Sequence, residues 1–296
     1  MTPPTESENR DAFKLLLASW AFVPIWSTGF IGARMGTPYA EPLSFLSLRF
    51  AVAAAGLVLL VVLTRSAWPK DWRAVGHICV FGLLAHGGYL GGVFVAIDRG
   101  VTAGVAALIV GLQPLLTGLI APRMLGENVS WKQWAGLLVG LLGVALVVWQ
   151  KMDFSRGDGF GFTVCVLALV SITIGTLYQK RFCSDMPLRS GSAIQFIAAG
   201  AATGLFALTF ENFRIEWTGE FIFAFLWLVV VLSWGAVGLL LYLIRNGAAT
   251  KVTSLFYLVP PGAAVLGYLL FGETLGLLSI LGFALAAGGV ALVTRN

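Results

Sequence analysis

Charge is scarce in this sequence. Asp, Glu, Lys and Arg make up 11% of its 296 residues, where a water-soluble domain of this size carries about 25%. A chain with so little charge cannot cover a water-facing surface, whereas a surface facing hydrocarbon needs none. Histidine is scarcer still, at two residues, and the three cysteines, Cys79, Cys165 and Cys183, follow no paired or metal-ligand spacing. A disulfide framework and a Cys/His metal centre are therefore not expected, and each cysteine reads as a small packing residue. No His-Glu-x-x-His motif occurs, and no Asp or Glu falls near the middle of an apolar run. Chemistry inside a membrane needs such clustered donors, so neither an enzyme nor a bound metal or cofactor is expected. A cleavable leader is not expected either. Residues 1–11 are polar, with acids among them, and the next apolar stretch is long, holds Trp20, Pro24 and Trp26, and ends at Arg34 without a small-residue cleavage pattern.

Apolar residues fill the gap, at 58% of the chain. About 20 of them in helical form cross roughly 30 Å of hydrocarbon. Such runs lie near 14–34, 42–64, 73–97, 101–122, 131–150, 159–181, 189–210, 220–244, 250–271 and 275–294. They show no period-two alternation, which points to helices rather than barrel strands. The connections between them are too short to hold a soluble domain. The net charge of +5 sits in small clusters between the runs, so it speaks of topology and not of nucleic acid. With both termini on one side, that side holds Arg10, Lys14, Arg65, Lys70, Arg73, Arg123, Lys132, Lys180, Arg181, Arg189, Arg245, Lys251 and Arg295. The other side holds Arg34, Arg99, Lys151, Arg156 and Arg214, and Arg49 lies within a run. The positive-inside rule then puts both termini in the cytoplasm of a multi-pass protein of the cell membrane.

The chain also repeats itself. At an offset of 146 residues, Arg99 meets Arg245, Pro114 meets Pro260, and Gly126-Glu127 meets Gly272-Glu273. Gly136 meets Gly282, the run Gly143–Val147 meets the run Gly289–Val293, Gly29 meets Gly175, Phe50 meets Phe196 and Arg49 meets Gln195. A one-residue slip near Asn246 pairs Gly100 with Gly247. The organisation predicted is a cytoplasmic tail over 1–13, a first five-helix repeat over 14–150 and a second over 151–296. Five crossings are an odd number, so the second repeat enters from the opposite side. Inverted repeats of this kind are common in secondary transporters, whose substrates bind near the bilayer midplane.

With its repeated five-helix halves, Trp26-Ser27-Thr28-Gly29 in the first run, Arg49-Phe50 in the second, and Pro…Gly-Glu…Gly-Val-Ala-Leu-Val closing each half, the sequence resembles the drug/metabolite transporter superfamily. More narrowly it resembles the ten-helix EamA-type exporters, among them the aromatic amino acid exporter, over essentially its whole length. The resemblance implies an all-α membrane protein whose ten helices form a basket around a central cavity. Runs 1, 3, 4, 6, 8 and 9 would line it, and runs 5 and 10 would be peripheral.

Polar side chains deep in a span are costly and turn inward. The candidates for substrate binding are Trp20, Trp26, Ser27, His86, Tyr89, Gln113, Tyr178, Ser233, Trp234, Tyr242 and Tyr257. They offer hydroxyls, an amide, an imidazole and aromatic faces to a net-neutral solute such as an amino acid. For His86 two readings stand, an interhelical hydrogen bond and a contact to ligand or proton. Trp68, Trp72, Trp131 and Trp217 suit the interfacial belts. The glycines of runs 5 and 10 read as packing residues, and those at 87, 88, 91 and 92 as packing or bending points. Breaks or kinks are expected at Pro114 and at Pro260-Pro261. Arg49 reads first as snorkelling to the outer interface, and Glu127 and Glu273 as interfacial anchors. A charged ring or filter motif of a channel is lacking, as is the cluster of cations that a phosphate translocator needs. The function expected is export of amino acids or similar metabolites by alternating access, facilitative because no mid-span carboxylate offers a proton relay. The alternative is a proton-coupled antiporter. Partners expected are the solute and membrane lipid, with a homodimer compatible with the sequence.

Overall fold

Buried in an apolar medium, backbone N–H and C=O groups have only one another as partners, and a helix satisfies them all within one segment. Helices are what the computed structural model of the chain contains. It describes residues 6–113, 115–118, 120, 131–151, 159–236, 239, 258–274 and 276–294. The expectations placed on Pro114, Gly126, Glu127, Tyr242, Asn246, Gly247 and Tyr257, and on Arg123, Arg156, Arg245, Lys251 and Arg295, lie outside those residues.

The described helices are α1 (Glu6–Gly36), α2 (Pro42–Leu63), α3 (Trp72–Asp98), α4 (Ala103–Val110), α5 (Trp131–Lys151), α6 (Gly159–Phe182), α7 (Leu188–Phe210), α8 (Gly219–Ala236), α9 (Val259–Phe271) and α10 (Leu277–Thr294). Of these, α2, α3, α6, α7 and α8 are long and apolar enough to cross a membrane. Their ends follow from local chemistry. Asp71, Thr102 and Thr218 accept from the first free N–H groups of α3, α4 and α8. Pro42 opens α2, where no intrahelical donor is needed. Gly272 closes α9 in the left-handed conformation, at φ 64°. Beside the expected break at Pro114, itself outside the described residues, α4 is followed by a turn at Gly111-Leu112, and Gln113 and 115–118 are helical. Pro260 and Pro261 do not kink a described helix. They sit in the first turn of α9, where a missing N–H costs nothing.

Two helices depart from α geometry over part of their length. Leu83–Gly88 of α3 and Trp227–Ala236 of α8 form π-helical turns. The two segments overlap at the repeat offset of 146 residues. Such turns arise where an extra residue is accommodated in the hydrogen-bond ladder, and they gather at functional sites.

Packing is organised by helix pairs. The most extensive are α5 with α10 and α2 with α7. The second half of α3 lies on α6 and the first half of α8 on α1, while α4 lies on α9. The π-turn of α3 rests on α6 and α7, and that of α8 rests on α1 and α2. Taken as whole helices, these pairs map onto one another when α1–α5 are exchanged with α6–α10. Phe50 and Phe196, at equivalent places on α2 and α7, stack on each other with ring centroids 5.7 Å apart. A buried core of residues from α1 to α10 surrounds them, including Phe45, Phe94, Leu108, Leu228 and Ala286.

The connections fall at two ends of the bundle. At one, the α1–α2 and α7–α8 connections clasp each other. Ala40 and Ile215 form an antiparallel bridge, Glu41 Oε2 accepts from the Asn212 and Arg214 amides at 2.9 Å, and Glu211 accepts from the Leu43 and Ser44 amides at the start of α2. Tyr39 hydrogen-bonds Glu220 across the same seam. Glu273 joins this end, with Oε1 3.3 Å from the Ala103 amide, so the anchoring role read for it in the sequence is the contact observed. At the other end, Ser190 Oγ donates to the Ala67 carbonyl at 2.7 Å and Arg189 to Ser66 at 3.2 Å.

Candidate functional site

Inside an apolar bundle each polar side chain must find a partner, so polar contacts mark where helices are tied together. The most concentrated set surrounds the two π-turns. Seven residues into α2, Arg49 is only 6% exposed. Its Nε and Nη2 both donate to Ser233 Oγ on the π-turn of α8, at 3.3 and 3.2 Å. Ser233 Oγ in turn lies 3.1 Å from the Leu228 carbonyl. Across the molecule, Gln195 occupies the position on α7 equivalent to Arg49. Its Oε1 lies 3.2 Å from His86 Nε2 on the π-turn of α3. The His86 ring stacks on Phe196 at 4.6 Å and faces Phe50 at 6.0 Å. Helix 2 and helix 7 are thus each bound by one polar side chain to the π-turn of the opposite half, with the Phe50–Phe196 stack between them.

Arg49 therefore does not snorkel. Its guanidinium turns inward because the π-turn presents a hydroxyl within reach, and because Phe50, 6.0 Å from its centre, covers one side. His86 makes the interhelical bond that was one of its two expected roles. Sequence reading passed over Gln195, although its alignment with Arg49 was the signal that could have found it.

Around this centre, Trp234 Nε1 donates to the Ala53 carbonyl of α2 at 3.2 Å, and its ring fills the space left by Gly56. Trp227 Nε1 donates to Thr28 Oγ1 at 2.8 Å, tying α8 to α1. Ser27, fully buried, lies 2.8 Å from its own helix at the Val23 carbonyl and 3.2 Å from the Val259 carbonyl of α9. Tyr89, one residue beyond the π-turn of α3, packs against the core. Ser27, His86, Tyr89, Ser233 and Trp234 accordingly sit on helices that meet about the π-turns.

Other expected residues make separate contacts. Trp26 packs on Phe22, with ring centroids 5.1 Å apart. Trp20 is 72% exposed and takes no part in these contacts. Gln113 donates from Nε2 to Thr176 Oγ1 at 2.8 Å, joining the segment after α4 to α6. Tyr178 lies toward the Ser66–Arg189 end, its hydroxyl 2.6 Å from His77 Nδ1 and its ring beside Phe182. Nearby, burial pushes the Cys183 thiol above its ordinary pKa, which keeps it protonated and unreactive. Among the described residues, no group of three or more His, Cys, Asp or Glu could hold a metal ion.

Comparison with known proteins gives a consistent picture. The family model of EamA-like transporters matches the chain twice, over residues 14–149 and 159–295. The inner membrane transporter YedA of Escherichia coli K12 is 28% identical over 96% of this chain and 92% of its own length. The transporter YdfC of Bacillus subtilis is 25% identical over 94% and 90%. A protein of Salmonella typhimurium described as a probable amino-acid metabolite efflux pump is 23% identical over 95% and 93%. A solved crystal structure superposes with a TM-score of 0.67 at 21% identity, covering 95% of this chain and 98% of the other, which shows a shared fold.

Proposed function

Since the chain belongs to the EamA-like transporter family, we propose that it exports amino acids or similar small metabolites by alternating access, as a facilitative carrier. It is a multi-pass membrane transporter and not an enzyme. The observation that carries the mechanistic reading is the pair of π-turns. Each is held by a polar side-chain bond to the other half, and they occupy overlapping places in the two halves. Locally loosened helices at a repeat interface are where transporters bind substrate and rock.

In this reading ten helices span the membrane as two inverted repeats, 14–150 and 151–296, after a tail of residues 1–13. The helix pairing, which is unchanged in kind when the halves are exchanged, supports the arrangement. Lipid surrounds the exposed leucines, and both termini face the cytoplasm, a placement supported by the excess of Lys and Arg on that side. Substrate would meet Ser27, His86, Tyr89, Ser233 and Trp234 at the centre, with Trp26 and Gln113 along the path and Trp20 and Tyr178 toward its ends; Tyr242 and Tyr257 complete the set expected from the sequence. The efflux pump relative supports amino-acid-like solutes. The facilitative mode is supported by the lack of any Asp or Glu in mid-span, since proton-driven carriers keep a relay there.

The test uses purified protein in liposomes with a panel of labelled amino acids. Counterflow is expected for at least one of them, unaffected in extent by an imposed proton gradient. His86→Ala, Gln113→Ala and Trp26→Ala are each expected to lower the rate about ten-fold, the effect of losing about 1.4 kcal/mol of binding. Uphill accumulation driven by protons would overturn the facilitative mode in favour of the antiporter. Normal rates in all three variants would overturn the site.

A further inference from the structure

Among the described residues, Arg49 is a buried cation without an anion. It is 94% removed from solvent contact, at two turns' depth in α2. Its two hydrogen bonds converge on one neutral oxygen, Ser233 Oγ, both at the long end of the range. The Phe50 ring covers one side of the guanidinium, 6.0 Å from its centre, and is no anion. The sequence places no acid in the middle of an apolar run. All fourteen Asp and Glu stand in the N-terminal stretch, at helix ends or between apolar runs. A guanidinium is built to grip two oxygens at once, and a hydroxyl supplies one. A charge left in this state is costly, and intramembrane charges mark ligand sites for that reason.

The structure assigns the missing anion to the solute: the Arg49 guanidinium receives the carboxylate of the transported amino acid, which displaces Ser233 as its partner. This assignment rests on the transport reading above and narrows it to solutes that carry a carboxylate. A lone cation suits a singly charged carboxylate better than a phosphate, which draws clustered Lys and Arg. Because Ser233 belongs to the π-turn of α8, occupation of Arg49 also frees that turn from α2. Substrate binding is thereby coupled to the joint between the two halves.

The experiment compares each labelled amino acid of the liposome panel with its carboxamide, which has nearly the same size but no negative charge. In wild-type protein the carboxamides are expected to compete at least ten-fold more weakly than the parent acids. Arg49→Gln is expected to lower amino acid flux at least ten-fold. Arg49→Lys keeps the charge without the fork, and is expected to raise KM several-fold with a smaller change in maximal rate. Carboxamides that compete as well as the acids, or an Arg49→Gln protein with wild-type flux, would overturn the assignment and leave transport intact. Flux of neither acids nor amides in wild type would overturn the amino acid transport reading, and this assignment with it. Should Arg49→Gln not fold, the wild-type competition alone decides.

Discussion

Two residues that face each other illustrate what single side chains contribute here. Gln195 and Gly82 meet where α3 passes α7. Gln195 holds His86 by a hydrogen bond of 3.2 Å, while a Cβ on Gly82 would stand 2.6 Å from the Gln195 Cα. Polar bonds between helices in membranes contribute little, about 0.6 kcal/mol on average and at most about 1.7. Gln195→Leu should therefore destabilise only slightly. Gly82→Ala should cost more, about 1–3 kcal/mol, because a methyl group there meets backbone and the helices must part. Gly76→Ala, on the same helix but facing open space, should be neutral or stabilising by up to about 1 kcal/mol. Thermal unfolding of the three variants in detergent gives the order; equal losses in Gln195→Leu and Gly82→Ala would contradict it. Most polar residues of the centre were legible in the sequence, because a hydroxyl or imidazole within an apolar run stands out. What they touch was not, since Arg49 could as well have reached outward, and only the contact with Ser233 decides its direction.

The helices show the same contrast. The five long apolar ones were legible because apolar length and flanking charge record them, and the caps at Asp71, Thr102 and Thr218 agree with the boundaries read from sequence. Which helix lies against which was hidden, since lipid-facing and protein-facing surfaces are both apolar and leave little asymmetry to read. The π-turns were hidden for a further reason. Glycines at 87 and 88 suggested a bend in α3, but Trp227–Ala236 holds no such pair, only Gly235 near its end. In α5 and α10, by contrast, the glycine spacing did foretell packing. A Cβ on Gly143 would come 2.5 Å from the Gly282 carbonyl oxygen, and one on Gly289 would come 2.5 Å from that of Gly136. The two clashes are the same contact seen from each half. Gly143→Ala and Gly289→Ala should each cost about 1–3 kcal/mol by forcing backbone from backbone. The pair stands aside from the π-turns, so flux per folded molecule should change less than two-fold. A large loss of flux at unchanged stability in reconstituted protein would show instead that α5 and α10 take part in the transport motion.

At the scale of the whole molecule, alternation of the connections is the property with the most consequences. Glu41, Glu211 and Glu273 fasten one end of the bundle, and Ser66, Arg189 and Ser190 the other. The end of Arg65, Lys70 and Arg189 is also the one to which the sequence assigns most of the cations. If that end is cytoplasmic, Lys70 lies inside and Asn212 outside, although both are exposed and both join long apolar helices. The check is single-cysteine labelling in a background from which Cys79, Cys165 and Cys183 have been replaced. In intact cells an impermeant maleimide should modify Asn212→Cys and not Lys70→Cys, and permeabilisation should open Lys70→Cys to it. A reversed pattern would refute the orientation but keep the alternation. Labelling of both from one side would refute the alternation itself, and the inverted relation of the halves would go with it, because that relation requires each equivalent connection to emerge on the opposite face.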